Sequence, residues 1–326
     1  MILLTGGAGF IGSNLHAVLA ARGLEVVIVD RLRSASKWRN LSHHPPARIV
    51  PPTELAGFLG RDPPIEIVFH LGAVSDTGAT DGDLVWESNV ALSLSLWEWC
   101  TQSKARFIYA SSAATYGDGS AGFEDDPEAN ALARLKPLSL YGWSKHAFDL
   151  QVARLCARGA ARPPQWVGLK FFNVYGPNEY HKGRMISVVK VKFDELMRDG
   201  VIRLFRSERP DIHDGEQRRD FIWVDDVVDV MLWLMGRPDV NGLYNLGTGQ
   251  SATYLSLAKA VAEAGGRRAT IEFIDMPAAL AGQYQYRTEA SMARLRAAGY
   301  GGNFLPVPEG VRHYIREYLS ADDPYR

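Results

Sequence analysis

Cysteine is scarce in this sequence, whose 326 residues include only two, Cys100 and Cys156. Two cysteines cannot form the disulfide framework of a small secreted domain, and they cannot supply a cysteine-rich zinc cluster. A chain of this length can bury a core large enough to fold without such crosslinks. His43, His44 and His213 have no partners at metal-ligand spacing. We therefore expect a cytoplasmic protein without a metal site.

The sequence also lacks an excess of charge of either sign. Lys and Arg number 36, Asp and Glu number 37, and the formal net charge is −1. This balance argues against binding to nucleic acid through bulk positive charge. No run of 18 apolar residues is present and no basic, apolar leader precedes the first strand, so we predict neither a membrane span nor secretion.

What the sequence does contain is an alternation of strands and helices in its first half. Runs rich in Val, Ile and aromatic residues predict buried strands at Ile2–Thr5, Glu25–Asp30, Ile65–Leu71, Arg106–Ser111 and Trp166–Phe172. Helical spacing occurs between them, at Ser13–Arg22, Asp83–Lys104 and Ser139–Arg158. This order predicts an α/β fold, a doubly wound parallel sheet of the Rossmann type.

The pattern changes after residue 172. Polar segments such as Ser207–Gln217 interrupt the second half, and Ile271–Asp275 is a further predicted strand. Phe221–Met235 and Leu243–Leu246 have the pattern of a return to the first domain. We therefore expect a first domain over 1–172, with returns near 221–246, and a second, smaller, interleaved α/β domain within 173–326.

A glycine-rich turn, Gly6-Gly7-Ala8-Gly9-Phe10-Ile11-Gly12, follows the first strand. Glycine at positions 6, 9 and 12 permits a tight turn, close approach of the backbone to a pyrophosphate and close packing of helix on strand. The N-terminus of the helix that follows offers free N–H groups to the phosphates. Asp30 ends the second predicted strand about 20 residues further on, where an adenosine ribose would lie. This order predicts a dinucleotide site.

The loop after Asp30 bears on which dinucleotide binds. Asp30 alone favours the free 2′-hydroxyl of NAD. Arg31, Arg33, Lys37 and Arg39 follow it, and these cations could instead hold the 2′-phosphate of NADP. A solvated basic loop would have the same composition. We predict NADP, with NAD as the alternative.

Candidate reactive side chains follow the later strands. The small residues Leu71-Gly72-Ala73 end one strand and a hydroxyl-rich run that includes Ser112 ends the next, at the sheet edge where such folds bind ligands. The following helix carries Tyr141 and Lys145 at i and i+4, on one face. An ammonium beside a phenol is expected to lower the phenol's pKa, so that Tyr141 serves as a general base while Ser112 orients the substrate hydroxyl.

The glycine turn, the serine strand and the Tyr-Lys pair together resemble the extended short-chain dehydrogenase/reductase family, which acts on nucleotide sugars. Two further segments, Phe172–Pro177 and His181–Met185, are similar to the ADP-L-glycero-D-manno-heptose 6-epimerases of lipopolysaccharide synthesis. The resemblance covers nearly the whole chain, because it recurs at Arg219–Asp225, Tyr244–Gly249, Gly282–Thr288 and Leu295–Tyr300.

This resemblance implies an isomerase that inverts C6 of an ADP-heptose by transient oxidation and re-reduction with bound NADP. It implies one base for each face of the sugar, Tyr141 and Lys182, with Ser112 at the reacting oxygen and Lys145 at the nicotinamide ribose. It implies cofactor contacts from Phe10, Ile11, Asp30, Arg31, Lys37, Leu71, Gly72, Ala73, Ser75, Asn89 and Val174. It implies substrate contacts from Asn173, Arg184, Phe205, Ser207, Arg219 and Tyr284. Residues 1–172 would then bind the cofactor and 173–326 the substrate, and self-association into a homo-oligomer is expected.

Three alternatives stay open. An NAD-dependent UDP-sugar 4-epimerase would use Tyr141 and Lys145 without Lys182. A sugar-nucleotide 4,6-dehydratase needs an acid pair after the strand hydroxyl, where this chain has Ala113 and Ala114. A non-catalytic dinucleotide sensor would need no such set of reactive side chains.

Two segments depart from the family pattern. The stretch Arg206–Arg218, which would contact the nucleotide, is longer than in the better-known enterobacterial members. The run Asp76–Thr80 also replaces a stretch that is richer in Ser and Thr.

Overall fold

A computed structural model describes residues 1–33, 36–277 and 284–326 of the chain. Its strands and helices follow one another as β1 (Ile2–Thr5), α1 (Phe10–Ala21), β2 (Val26–Val29), β3 (Arg48–Val50), α2 (Leu55–Leu59), β4 (Ile67–His70), α3 (Gly82–Trp86), α4 (Leu92–Ser103), β5 (Arg106–Ser112), α5 (Ala129–Leu132), α6 (Leu140–Ala157), β6 (Trp166–Phe171), β7 (Asn173–Tyr175), α7 (Val188–Asp199), β8 (Val201–Phe205), β9 (Arg218–Arg219), β10 (Phe221–Trp223), α8 (Val224–Met235), β11 (Gly242–Leu246), β12 (Ala252–Thr253), α9 (Tyr254–Ala264), β13 (Thr270–Ile274), α10 (Ala293–Ala297) and α11 (Val307–Tyr314).

Seven parallel strands form the main sheet, in the order β11-β6-β5-β4-β1-β2-β3. The chain leaves β1 toward β2 and β3 at one edge, then returns to the other side of β1 at β4. The connections diverge at the carboxyl ends of β1 and β4, and such a switch point leaves a crevice for a ligand. The prediction of a doubly wound parallel sheet is confirmed.

Side chains alternate between the two faces of the sheet along each strand, and both faces are buried in a hydrophobic core. On β1, Leu4 packs in one core with Leu15 of α1 and Val227 of α8. Leu3, the neighbouring residue, packs on the opposite face with Phe148 of α6. Burial of one such leucine side chain contributes roughly 1.5–3 kcal/mol. The sheet therefore holds its carboxyl edge rigid for the site described below.

A third core lies beyond the main sheet. It is built by α7, α9 and α11 around the parallel pair β8 and β13. β11 pairs with β6 in the main sheet, and α8 packs beside α1, whereas β10 pairs with β7 outside this sheet. No helix in the described ranges is long and apolar enough to cross a membrane.

Several predicted boundaries differ from the structure. The first helix begins at Phe10 and not at Ser13, so the end of the glycine motif forms its first turn. The predicted helix Asp83–Lys104 is divided into α3 and α4 by a π-helical turn at Glu87–Ala91.

Five strands were missing from the prediction: β3, β8 and the short strands β7, β9 and β12. β3 is a three-residue edge strand between two proline pairs, which indicated only loops, and β8 becomes recognisable only through its partner β13. Four residues of the predicted motifs, Ser34, Ala35, Gly282 and Gln283, lie outside the described residues.

Candidate active site

The glycine turn lies where β1, α1 and the loop after β4 meet. Gly6 has a φ of +71°, which favours glycine, and a Cβ there would lie 2.6 Å from the backbone nitrogen of Gly72. A Cβ at Gly12 would collide with the carbonyl oxygen of Gly6. These glycines therefore permit the helix and both loops to pass close to one another beneath the crevice.

The N-terminus of α1 faces this crevice without a side-chain cap from any described residue. Gly9 is the N-cap residue, and the first turn contains no acidic side chain. The first N–H groups and the positive end of the helix dipole are therefore available to an anion. This cradle fits the pyrophosphate of a dinucleotide.

A cavity of about 480 Å³ extends from the glycine turn to the segment after β7. The structure brings most of the predicted site residues to its wall: Gly6, Gly9, Phe10, Ile11, Gly12, Asp30, Lys37, Leu71, Gly72, Ala73, Ser75, Ser112, Tyr141, Lys145, Asn173, Val174, Lys182 and Arg184. We call this space the reaction cavity.

Ser112 and Tyr141 are fixed by the local structure of β5 and α6. The Ser112 hydroxyl, at the end of β5, accepts a hydrogen bond of 3.1 Å from the N–H of Ala114. Ser139 caps α6 by accepting a bond from the N–H of Gly142 at 3.1 Å, which places Tyr141 in the first turn. Glycine at position 142 lets the helix approach the Ala114 backbone, since a Cβ would lie 2.7 Å from its oxygen.

Burial dominates the electrostatics of the Tyr-Lys pair. It raises the pKa of Tyr141, and a hydrogen bond with Ser112 opposes that rise. Burial lowers the pKa of Lys145 to about 8, against the charge of Asp149. The expectation that Lys145 lowers the Tyr141 pKa is wrong for this arrangement: the buried phenolate loses its hydration, and the Lys145 ammonium donates to the carbonyl of Ala110 at 2.8 Å.

Lys182 enters the reaction cavity from a separate segment, the 3₁₀ turn Tyr180–Met185 after β7. Its Nζ lies 5.1 Å from the centre of the Phe10 ring. Burial lowers the pKa of Lys182, and the charge of Glu179 opposes this shift. The side-chain nitrogen of Lys182 makes no hydrogen bond or ion pair with any residue that the structure describes. Its side-chain nitrogen therefore lies at the cavity wall without a carboxylate partner among the described residues.

Six predicted residues are not among those that line the reaction cavity. Arg31 is exposed on the loop after β2. Asn89 is buried behind the wall, and its side-chain amide exchanges hydrogen bonds of 2.8 and 2.9 Å with the backbone of Val74 and donates to Ser144 at 2.9 Å. The contact of Asn89 with the cofactor stays a prediction, and its polar atoms hold the loop after β4.

Phe205, Arg219 and Tyr284 lie together away from the reaction cavity. The Arg219 guanidinium lies 4.9 Å from the centre of the Tyr284 ring, and the rings of Phe205 and Tyr284 are 6.4 Å apart. Tyr284 lines a second cavity of about 550 Å³. Arg219 is buried and donates to the carbonyl of Arg218 at 2.9 Å.

Ser207 lies in the turn that begins the longer segment. Its N–H donates to Asp214 at 2.8 Å and its hydroxyl donates to the carbonyl of Arg209 at 3.1 Å. Ser207 does not line either of the two cavities described above. Its substrate contact stays a prediction, and the hydrogen bonds of Ser207 lie within its own turn.

Residues 2–247 match the sequence model of the NAD dependent epimerase/dehydratase family. The chain belongs to this family. An ADP-L-glycero-D-manno-heptose-6-epimerase of Nitratidesulfovibrio vulgaris is 47% identical over 329 residues, which cover 100% of both chains. The crystal structure of the Helicobacter pylori ADP-L-glycero-D-manno-heptose-6-epimerase has a TM-score of 0.78 at 27% identity, covering 98% of this chain and 96% of that one.

A UDP-glucose 4-epimerase of Thermus thermophilus, solved in complex with NAD, has a TM-score of 0.77 at 28% identity and covers 98% of this chain and 99% of that one. These similarities confirm the predicted resemblance and the prediction of an epimerase-family enzyme. The family and its NAD-bound structural neighbour support a nicotinamide cofactor for this chain.

Some residues at or behind the reaction cavity of this epimerase-family chain were not predicted from the sequence. His181 lines the reaction cavity, approaches the Asn40 amide at 3.1 Å, and has its pKa lowered to about 4, chiefly by burial. It is therefore a neutral imidazole beside Lys182. Its place next to Lys182 in the quoted motif was the signal that could have identified it.

A buried ion pair behind the reactive helix was missed as well. Lys170 of β6 donates to Asp149 at 2.8 Å, and both side chains are 0% exposed. Asp149 also accepts from the hydroxyls of Ser111 at 2.6 Å and Tyr109 at 3.0 Å. The pair joins β5, β6 and α6, the elements that carry the reactive groups. No cluster of three or more His, Cys, Asp or Glu among the described residues could hold a metal.

Proposed function

We propose that this protein converts ADP-D-glycero-D-manno-heptose to ADP-L-glycero-D-manno-heptose at C6 by transient oxidation and re-reduction with NADP, for the inner-core heptose of lipopolysaccharide. The observation that carries the proposal is that Lys182 lines the same cavity as Ser112, Tyr141 and Lys145. Full-length similarity at 47% identity to a protein named for this reaction supports the choice of substrate.

Two proton-transfer groups suit this reaction. A stereocentre without an acidic proton cannot be inverted by deprotonation, so oxidation must precede inversion, and a bound nicotinamide supplies reversible hydride transfer. A single tyrosine cannot be placed equally well for both epimers. Tyr141 takes the hydroxyl proton of one epimer and Lys182 that of the other, and each returns it when its epimer forms.

Burial shifts the pKa values of Tyr141 and Lys182 in opposite directions. The raised pKa of Tyr141 keeps the phenol protonated, which suits delivery of a proton to a carbonyl oxygen. The lowered pKa of Lys182 increases the fraction of neutral amine, which suits removal of a proton. Ser112 donates a hydrogen bond to the reacting oxygen and holds the sugar between them.

The preference for NADP is part of the proposal. Asp30 would present its charge to the 2′-hydroxyl of NAD, but Lys37 lies within 2.5 Å of it and neutralises that charge. Lys37 and the exposed Arg31 then favour a 2′-phosphate at this place.

The division of the chain between ligands is also proposed. Residues 1–172, with 221–246, bind the cofactor, and 173–326 bind the substrate. Asn173 and Arg184 line the reaction cavity and suit the sugar. Arg219 suits the diphosphate, and the rings of Phe205 and Tyr284 suit the nucleotide end.

Self-association in the cytoplasm completes the proposal. The rings of Trp86 on α3 and Trp143 on α6 lie 5.8 Å apart and are 45% and 43% exposed. An exposed pair of tryptophans suits contact with a second copy of the chain. Light scattering of the double variant Trp86→Ser/Trp143→Ser tests this, because an unchanged assembly mass would remove the patch from the interface.

The proposed reaction is tested by incubating the purified protein with ADP-D-glycero-D-manno-heptose, without added cofactor, and following the C6 configuration by NMR. Inversion is expected, because the enzyme retains its cofactor between the two half-reactions. No inversion at high enzyme concentration, together with turnover of UDP-galactose, would instead favour the NAD-dependent UDP-sugar 4-epimerase.

A further inference from the structure

Glu179 is a buried carboxylate at the start of the segment that carries Lys182. Its side chain is 0% exposed, and no ion pair among the described residues includes it. One oxygen accepts from the hydroxyls of Ser187 at 2.6 Å and Tyr314 at 2.9 Å, and the other accepts from the N–H of Ser187 at 2.6 Å. Burying a carboxylate without a paired cation costs free energy of folding, so we expect this carboxylate to have a role that offsets the cost.

These hydrogen bonds close a loop. Glu179 and Ser187 stand at its two ends, and Ser187 also caps α7. Between them the chain turns through Gly183, whose φ is +54°, and the N–H of Lys182 donates to the carbonyl of Glu179 at 3.0 Å. Tyr314 links the same carboxylate to α11. One side chain thus fixes both ends of the loop whose tip reaches the reaction cavity.

Glu179 also lies three residues from Lys182 on the same loop, and its charge favours the Lys182 ammonium. Its charge opposes the lowering of the Lys182 pKa, and Lys182 in turn opposes the rise of the Glu179 pKa that burial causes. The other titratable groups around the pair are Tyr180 and His181 on the same loop, both neutral, and Tyr314 from α11.

We propose that Glu179 is a positioning residue for Lys182: it closes the 179–187 loop and provides a nearby negative charge that favours the Lys182 ammonium. The proposal rests on the proposed function for the claim that Lys182 transfers protons. Its structural part, the coupling of Glu179 to Lys182, does not depend on the identity of the sugar.

The test is competitive acetylation of the protein with acetic anhydride at a series of pH values, with Lys182 and Lys145 read separately by peptide mass spectrometry. Glu179→Gln keeps the shape and removes the charge, so the labelling midpoint of Lys182 should move to lower pH by about one unit while that of Lys145 stays. Thr101→Ala is the matched variant, since it removes one hydroxyl hydrogen bond within α4 and touches neither Glu179 nor Lys182, so it should leave the Lys182 midpoint in place. An unchanged Lys182 midpoint in folded Glu179→Gln would overturn the proposal.

A second variant covers the case in which Glu179→Gln does not fold. Tyr314→Phe removes one donor to Glu179, which makes the carboxylate easier to protonate, so the Lys182 midpoint should again fall. An unchanged midpoint and unchanged turnover in this variant would also overturn the proposal. Since labelling needs no heptose, a failure here is distinct from a failure of the proposed reaction.

Discussion

The Nζ atom of Lys37 lies 2.5 Å from Oδ1 of Asp30, at the carboxyl end of β2. The same carboxylate accepts hydrogen bonds from the N–H groups of Ala8 at 2.8 Å and Arg31 at 2.6 Å. Asp30 therefore joins the glycine turn to the basic loop, and a bound adenosine ribose would meet a neutral pair in place of a bare carboxylate.

This pair leads to a prediction about cofactor selection. Lys37→Ala should weaken NADP binding by roughly tenfold to a hundredfold, because a charge-assisted bond is worth about 1.5–3 kcal/mol, and should change NAD binding much less. Isothermal titration with each dinucleotide measures this. Lys259→Ala, an exposed lysine on α9, is the control. Equal losses of affinity for NADP and NAD would show that Lys37 does not distinguish the 2′-phosphate from the 2′-hydroxyl.

The second prediction concerns the proton-transfer groups. Lys182→Met should reduce epimerisation by about 10²–10⁴-fold, the usual contribution of a general acid–base group, while cofactor stays bound. Turnover and the absorbance of released cofactor are the two measurements. Lys190→Met, on α7 and paired with Asp194, is the matched control. Undiminished turnover in Lys182→Met would leave Tyr141 and Lys145 as the reactive pair, as in the 4-epimerase alternative.

The third prediction follows from the burial of Lys145. Its pKa falls from 10.5 to about 8, so between these values the unfolded chain binds a proton that the folded chain does not. The contribution of Lys145 to the free energy of unfolding must therefore rise as the pH increases from about 8 to 10.5. Below pH 8 this contribution is least favourable. Lys145→Met should therefore raise the free energy of unfolding at pH 7 by about 2 kcal/mol, after loss of the bond to Ala110 is subtracted.

Urea denaturation of both proteins at pH 7 and pH 10 checks this prediction. The advantage of Lys145→Met should shrink as the pH rises. A variant that is less stable than the parent at pH 7, or an advantage that grows with pH, would mean that burial does not depress this ionisation.

Much of the fold and the centre of the site could be predicted because the signals are local. Buried parallel strands produce continuous apolar runs, and the glycine turn and Tyr141-Lys145 lie within single short segments. Lys170 could not be predicted as a partner of Asp149, because their meeting depends on β6 lying beside β5 under α6. The same reason applies to Asn89, whose partner Val74 becomes apparent only once the loop after β4 is placed.

The fourth prediction uses the Lys170–Asp149 pair. Lys170→Met leaves the Asp149 carboxylate buried without its cation and should cost about 3–5 kcal/mol of unfolding free energy. The double variant Lys170→Met/Asp149→Asn should recover part of that loss, because the unpaired charge is gone. Guanidinium denaturation in a double-mutant cycle measures the coupling. Strict additivity of the two single losses would show that the pair contributes nothing beyond packing.

The most direct test of transient oxidation at C6 uses ADP-D-glycero-D-manno-heptose that carries deuterium at C6, incubated with the enzyme in ordinary water. Mass spectrometry and NMR of the product report label and configuration together. The account predicts inverted C6 that keeps its deuterium, because the atom leaves and returns as a hydride within one closed site. Inversion with loss of deuterium to solvent, or no inversion at all, would contradict it.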